Sequence, residues 1–537
     1  MSWKSDLSSS RERYYERGLF TRRTLADEMR EGALSYPDAR MIFHSDANPA
    51  EATLALLQRR SLALAGALHS LGLAPGDVVA IQVPNWLEGV LAFQAAMTLG
   101  VVVVPIVHIY GPAEVGFILR QSGARAFICP DRWRHIDYLE RIERLDRSEL
   151  PNLEYVVVIG ATAPSGALSW SGLEARATGD FELPRVDPDD VCLLVYTSGT
   201  TADPKGVQHT HNTLLAEVRD MGDRGLSGPP VSLGAFPAGH IAGVLGMMRL
   251  YLHGGRSVLM DTWDANDAAR LVETHRVTTT SGTPFHLAGL LDAAKASGRD
   301  ISSMAGYMTG AASVPPALVE RADAEGVPSY RAYGSSEHPT ITSGSPADPL
   351  DKRADTDGRL LGTNEIRIVD DDGKDLPLCS GGEIASRGPE LFVGYRDEAL
   401  NPDSFLEGGW FLTGDIGVMD EDGYLRITDR KKDVIIRGGE NIASKEVEDV
   451  LARHADVREA AVVGAPDERY GERVCAFVIL REGASLEIPE VMRHFEAEGV
   501  ARQKTPERLV PVDDFPRTAA GKVKKFELRQ QLRPGKR

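Results

Sequence analysis

Ten consecutive residues, Thr197-Ser198-Gly199-Thr200-Thr201-Ala202-Asp203-Pro204-Lys205-Gly206, hold four hydroxyls, two glycines and one lysine. Hydroxyls and exposed backbone N–H groups are what polyphosphate oxygens need, and a lysine adds a compact positive charge. The segment follows directly on an apolar run, residues 191–196. It therefore reads as a phosphate-cradling loop at the end of a buried strand. A Ser/Thr-rich surface turn is the ordinary alternative, and this density straight after a buried strand argues against it. The spacing is not GxxxxGK followed by Ser or Thr, so a Walker-type nucleotide site does not fit.

Such a loop needs a rigid frame, and the chain supplies strand–helix alternation. Residues 1–50 read as a polar lead-in with some helix. Apolar residues recur at helical spacing over 51–71, and Gly72 with Pro75-Gly76 ends the pattern. Residues 78–83 then read as a strand, 86–98 as a helix and 101–105 as a strand. The alternation continues through 126–128, 155–159, 191–196, 257–260 and 276–280. It predicts helix-covered parallel sheets. After Gly358 the texture changes to short alternating strands (365–369, 382–386, 424–428) among glycine-rich turns, which predicts an antiparallel, barrel-like region. From Asp433 a smaller unit begins, with helix 444–453, strands 460–464 and 473–480, and a helix over 487–498. The expected fold class is α/β: a large N-terminal domain over 1–431 and a small α+β C-terminal domain over 432–537.

The chain has 537 residues, a net charge of -18 and an ordinary soluble composition, 42% hydrophobic and 26% charged. The acidic balance argues against a nucleic-acid-coating protein and requires an anionic substrate to meet local basic groups. Residues 501–537 are basic within this acidic chain. Cys129, Cys192, Cys379 and Cys475 stand singly, with no metal-ligand spacing. The N-terminus is charged, without the apolar core of a signal peptide, and the apolar run at 101–109 is too short to span a bilayer. A cytoplasmic protein is expected, and the oligomeric state is not readable.

The segment YTSGTTADPKGV resembles the signature loop of the adenylate-forming, or AMP-binding, superfamily. That superfamily comprises acyl-CoA synthetases, adenylation domains of peptide synthetases and beetle luciferases. Most members have glycine where this chain has Ala202. Seven further blocks match in family order. The resemblance assigns Phe236-Pro237-Ala238-Gly239-His240-Ile241-Ala242-Gly243 to the acyl pocket, with His240 at its mouth near the carboxylate. Taken alone, His240 reads as a satisfied loop histidine. Gly310-Ala311-Ala312 is similar to the small-residue turn on which adenine lies. In Tyr333-Gly334-Ser335-Ser336-Glu337 the resemblance implies that the Tyr333 ring stacks on adenine, that the Ser336 hydroxyl meets the α-phosphate, and that Glu337, with Thr200, holds Mg²⁺.

Gly409-Trp410-Phe411-Leu412-Thr413-Gly414-Asp415 resembles the block whose aspartate accepts the ribose hydroxyls. Asp429-Arg430-Lys431-Lys432-Asp433 resembles the hinge block, with Arg430 on ribose and phosphate and Lys432 at the pivot. Gly438-Gly439-Glu440-Asn441 matches the loop beside the pantetheine thiol, and Pro516-Arg517-Thr518-Ala519-Ala520-Gly521-Lys522 the block whose lysine meets the carboxylate and α-phosphate. The resemblance thus implies catalytic roles for Lys522, Glu337, Lys205 and His240. Thr197, Ser198, Gly199, Thr200, Thr201 and Lys205 would hold the ATP phosphates. ATP, Mg²⁺ and CoA are the implied cofactors, and a mobile C-terminal domain serves two half-reactions.

Within that superfamily, no acid lies between Phe236 and Gly243 to pair with a substrate ammonium. A carboxylic acid:CoA ligase is therefore expected, with loading of a carrier protein as the alternative. Gly334, Gly239, Ala242, Gly243 and Gly246 suggest a roomy, apolar acyl pocket. The texture is closest to ligases of medium-chain fatty and alicyclic acids.

Overall fold

A computed structural model describes residues 3–177, 181–197, 204–222 and 229–532. Two large sheets form the frame. In the first, Arg40–His44, Arg256–Met260, Val231–Gly234, Thr279–Gly282, Gly306–Thr309 and Ser329–Tyr333 run parallel, with short antiparallel strands at both edges. In the second, Tyr155–Ile159, Ala126–Pro130, Val78–Ile81, Val102–Pro105 and Val191–Thr197 run parallel. Lys205–Thr210 folds back antiparallel on the last of these. Helices Leu54–Ser70, Leu87–Leu99 and Ile241–His253 belong to one apolar core shared with strands of both sheets. A parallel sheet covered on both faces needs near-continuous apolar strands, and VVAI, VVVP and AFICP supply them.

The barrel-like region is an antiparallel sheet of Glu365–Val369, Gly382–Arg387, Phe405–Leu406, Trp410–Met419 and Leu425–Arg430. The first helix, Trp3–Glu16, is tied to it: Trp3 stacks on Phe405, and the Asp6 carboxylate accepts the Gly408 N–H. Beyond residue 432 a separate sheet pairs Val457–Asp467 with Gly471–Leu480. It is flanked by Ser444–Ala452 and Ile488–Ala497 around its own core. The fold class agrees with expectation.

Three elements depart from it. The lead-in contains an interior strand of the first sheet, Arg40–His44. Residues 51–53 belong to the edge strand Ala50–Thr53, and the helix starts at Leu54, where the Thr53 hydroxyl accepts the Leu56 N–H. The strand expected over 276–280 is Thr279–Gly282, because Arg276 adopts a left-handed conformation (φ +52) that closes the preceding helix. Among the described residues no helix is long and apolar enough to cross a membrane.

Candidate active site

The C-terminal ends of parallel strands gather ligands in open α/β sheets, and most candidate residues lie there. Val191–Thr197 and Lys205–Thr210 form a hairpin with Thr197 opposite Lys205. Its tip, with Ser198, Gly199, Thr200, Thr201 and Ala202, lies outside the described residues. The Lys205 ammonium stands 4.9 Å from the centre of the Tyr395 ring, and the Tyr395 hydroxyl donates to Glu337 Oε1 at 2.7 Å. One tyrosine thus joins the phosphate-loop lysine to the carboxylate expected to hold metal. Burial and the adjacent Glu337 push the Tyr395 phenol upward, so it stays a donor. Nothing in the sequence singles out Tyr395. The described residues hold no three-ligand metal cluster.

Gly310-Ala311 and Tyr333-Gly334 end neighbouring parallel strands and lie side by side. Ala311 has φ +60, and a Cβ on Gly310 would come within 2.6 Å of the Ala332 carbonyl oxygen, so the turn is as close as the backbone permits. A Cβ on Gly334 would collide with the Pro339 carbonyl. Gly334 is therefore dictated by a loop folding back on itself. It is not among the residues lining the cavity of about 420 Å³ described below. The Ser336 carbonyl is fixed by the ring of His209, Nε2 to oxygen 2.8 Å, a second residue that sequence reasoning missed. Burial holds the His209 imidazole down at about 4.

Asp415 and Arg430 face each other across adjacent antiparallel strands. Arg430 Nε donates to Asp415 Oδ1 at 2.7 Å, and the Tyr333 hydroxyl donates to Oδ2 at 2.8 Å. Each carboxylate oxygen has a second lone pair, so Asp415 can still accept from two ligand hydroxyls. Asp415 is only 3% exposed.

Lys522 reaches this cleft from the small unit. Its turn is closed by Thr518, whose N–H donates to the Lys522 carbonyl at 2.8 Å, and is anchored by Arg517 on Glu459. Arg517 also lies over the ring of Phe285, and Gly521 abuts Thr283, at the start of helix Pro284–Ser297. The nearby Arg430 guanidinium, with burial, pulls the Lys522 amine down to about 7, against the support of Asp415 and Asp433. His240 caps helix Ile241–His253, where its Nδ1 accepts the Ala242 N–H at 3.2 Å. The ring proton therefore sits on Nε2. Burial and the neighbouring Lys522 hold this imidazole down at about 4, so it is a neutral donor.

The structure thus brings Lys522, Arg430, Asp415 and His240 into one electrostatic neighbourhood. Gly438 and Gly439 are elsewhere. Both have positive φ (+61 and +90) and form the two-residue turn between Ile435–Arg437 and Glu440–Ile442. That turn is exposed, and the Gly438 N–H donates to Tyr470 of the same unit. Lys432 lies in the short link between the two units. Asp429 on one side of it accepts from the Ser444 N–H and hydroxyl on the other.

A cavity of about 420 Å³ extends from Phe236 between helix Ile241–His253 and the first sheet. Ala242, Gly243 and Gly246 line it, as expected. A Cβ on Gly246 would meet nothing within 4 Å. Gly239 does not line it: a side chain there would strike the Val107 backbone. The cavity is mainly apolar, as expected, with serine and threonine residues on part of the sheet face.

Residues 29–396 match the AMP-binding enzyme family and residues 446–522 the AMP-binding enzyme C-terminal domain. The chain is 36% identical to the medium-chain fatty-acid–CoA ligase of Escherichia coli (strain K12), over 97% of this chain and 92% of that one. It superposes on the anthranilate CoA ligase AuaEII in complex with anthranoyl-AMP with a TM-score of 0.87 and 26% identity, over 96% and 98% of the two chains. The o-succinylbenzoate coenzyme A synthetase MenE of Bacillus subtilis, in complex with ATP and magnesium ion, gives 0.79 and 29%, over 94% and 98%.

Proposed function

This chain belongs to the AMP-binding enzyme family and is an ATP-dependent, AMP-forming ligase, and from that premise we propose that it joins a medium-to-long or alicyclic carboxylic acid to coenzyme A. The observation that carries this reading is the position of Lys522, inserted from the small unit beside Arg430, Asp415 and His240.

In the first half-reaction the carboxylate oxygen attacks the α-phosphorus of ATP and pyrophosphate leaves. Lys522, as its ammonium, balances charge on the carboxylate and α-phosphate. His240 donates Nε2–H to the carboxylate at the cavity mouth. Asp415 accepts the ribose hydroxyls and Arg430 meets ribose and phosphate. Gly310, Ala311, Tyr333 and Gly334 frame adenine, and the Ser336 hydroxyl meets the α-phosphate. The loop from Thr197 to Lys205 holds the leaving phosphates. Glu337 has an oxygen donor suited to a hard cation, and with Thr200 it would hold the Mg²⁺ that spreads phosphate charge. Catalysis is then mainly positioning and electrostatic stabilisation.

For the second half-reaction the small unit, residues 432–537, turns about Lys432 against residues 1–431. Lys522 withdraws, and the Gly438-Gly439 turn comes to the thiol path. The CoA thiol attacks the acyl-adenylate carbonyl and AMP leaves. The exposed Gly438-Gly439 turn, far from any use in the present arrangement, supports this division of labour.

The test is pyrophosphate release with MgATP across acetate, hexanoate to palmitate, cyclohexanecarboxylate and benzoate, with and without CoA. Acid-dependent release that ends in AMP and a CoA thioester is expected. Acid-dependent release with no thioester formed would point instead to a carrier-protein acceptor.

A further inference from the structure

The sheet that floors the acyl cavity presents two cross-strand rows to it. Register places Leu259, Gly234, Ser281 and Met308 side by side in one row. Two residues further back lie Ser257, Ser232, Thr279 and Gly306. Side chains two apart on a strand share a face, and every residue of both rows lines the cavity. Of the intervening row, Val258, Leu233 and Tyr307 belong to the opposite core, while Leu233 and Thr280 also border the cavity and the Thr280 hydroxyl donates to the Leu233 carbonyl at 2.7 Å.

Three adjacent central strands therefore carry a hydroxyl at one level. Interior parallel strands are normally apolar on both faces, because a buried hydroxyl without a partner costs free energy. Ser257 Oγ, Thr279 Oγ1 and Ser281 Oγ have no hydrogen-bond partner among the described residues, and Ser232 Oγ reaches only the Arg256 carbonyl, at 3.5 Å. The local sequences VSLG, RSVLM and TTSG thus trade strand-like apolarity for unspent hydrogen-bonding capacity. Apolar pockets gain orientation from such a small set of placed polar groups.

The row is remote from the chemistry. Gly306 precedes Gly310, at the nucleotide end, by four strand residues, about 13 Å. Arg249 and His253, about two and a half and three and a half helical turns beyond His240, line the same distal end from the facing helix.

We propose that the acid this enzyme activates carries an oxygen function, a ketone or a hydroxyl, on the part remote from its carboxylate, and that the Ser257–Ser232–Thr279 row hydrogen-bonds it. The proposal rests on the ligase reading above and narrows it. A plain alkyl chain would leave the row unpaired or wet, and a site built to bond a substrate oxygen discriminates against the analogue that lacks it.

The experiment pairs decanoate with 9-oxodecanoate and 9-hydroxydecanoate in pyrophosphate release. It also measures binding of the decanoyl and 9-oxodecanoyl sulfamoyl-adenosine analogues by calorimetry. The expected result is at least about tenfold higher kcat/KM and tighter analogue binding for the oxygenated acids. Ser257→Ala and Thr279→Val should each narrow that ratio, by weakening the oxo acid while sparing or improving decanoate. Equal or better use of decanoate, with normal thioester formation, overturns the proposal and leaves the ligase intact. Variants that depress both acids equally also overturn it. No release with any of the acids, and no binding of either analogue, would overturn the ligase reading and this proposal together.

Discussion

Arg430 and Asp415 sit directly opposite each other in neighbouring antiparallel strands, with guanidinium Nε 2.7 Å from carboxylate Oδ1. Lys522 is poised by this pair: the arginine disfavours its charge and the aspartate favours it.

A pH dependence follows. The ammonium form of Lys522 dominates below about 7 and is lost above it. kcat/KM for adenylation, which reports the free enzyme, should therefore fall as pH rises through that value. Asp415→Asn removes the supporting carboxylate and should move the limb to lower pH by about one unit; Arg430→Met removes the repulsion and should move it upward by a similar amount. Pyrophosphate release measured across pH 5.5 to 9 checks this, and shifts of the opposite sign would refute the assignment.

The two half-reactions should separate genetically. Lys522→Ala should lower adenylate formation by about a thousandfold and still convert a synthetic acyl-adenylate to thioester. Lys432→Pro should do the reverse, because it stiffens the link between the units. Single-turnover assays of each step decide. Equal loss of both steps in Lys522→Ala would defeat the two-arrangement mechanism.

Gly246 faces open cavity. Gly246→Leu should exclude the longer acids, lowering their kcat/KM about tenfold or more while leaving the shortest good substrate little changed. A chain-length profile that keeps its shape would show that the acyl group lies elsewhere.

Glu390 and Glu217 are buried at 0% and 1% exposure behind the Glu337 segment, with Asp220 beside them. Thr340 donates to Glu217 and Asn364 to Glu390. Burial and the neighbouring Glu217 push Glu390 well above the usual carboxylate range. A raised carboxyl favours the fold at acid pH and withdraws that support as pH rises through its folded value. The Tm advantage of Glu390→Gln over the parent should accordingly grow between pH 5.5 and 9. A pH-independent offset in thermal melts would contradict a raised Glu390 carboxyl.

What the sequence revealed depended on what each strand faces. Strands buried between helices, such as Val78–Ile81 and Tyr155–Ile159, announce themselves as apolar runs. Val231–Gly234 and Thr279–Gly282 border a ligand cavity, so their hydroxyls erase the strand signature. The first carries no apolar strand pattern, and at the second the pattern starts three residues before the strand does. Arg40–His44 was hidden in a charged lead-in. At the site, the blocks around Glu337, Asp415 and Lys522 were legible through the resemblance of their motifs to a known family, not through their charges alone. Tyr395 and His209 act through contacts formed by folding, with Glu337 58 residues away and Ser336 127 residues away, and no local pattern marks them. Gly334 was legible as a glycine but not for its reason, since the clash with Pro339 exists only in three dimensions.

In the proposed reaction, helix Ile241–His253 begins at His240, the histidine assigned to the substrate carboxylate, and ends at His253, which lines the far side of the cavity assigned to the acyl group. It therefore works as a ruler whose zero is fixed by the reaction and whose markings are the residues along one face. Drift in those markings changes which acid fits without moving the origin, so a lineage can exchange substrates while its adenylation chemistry stays constant.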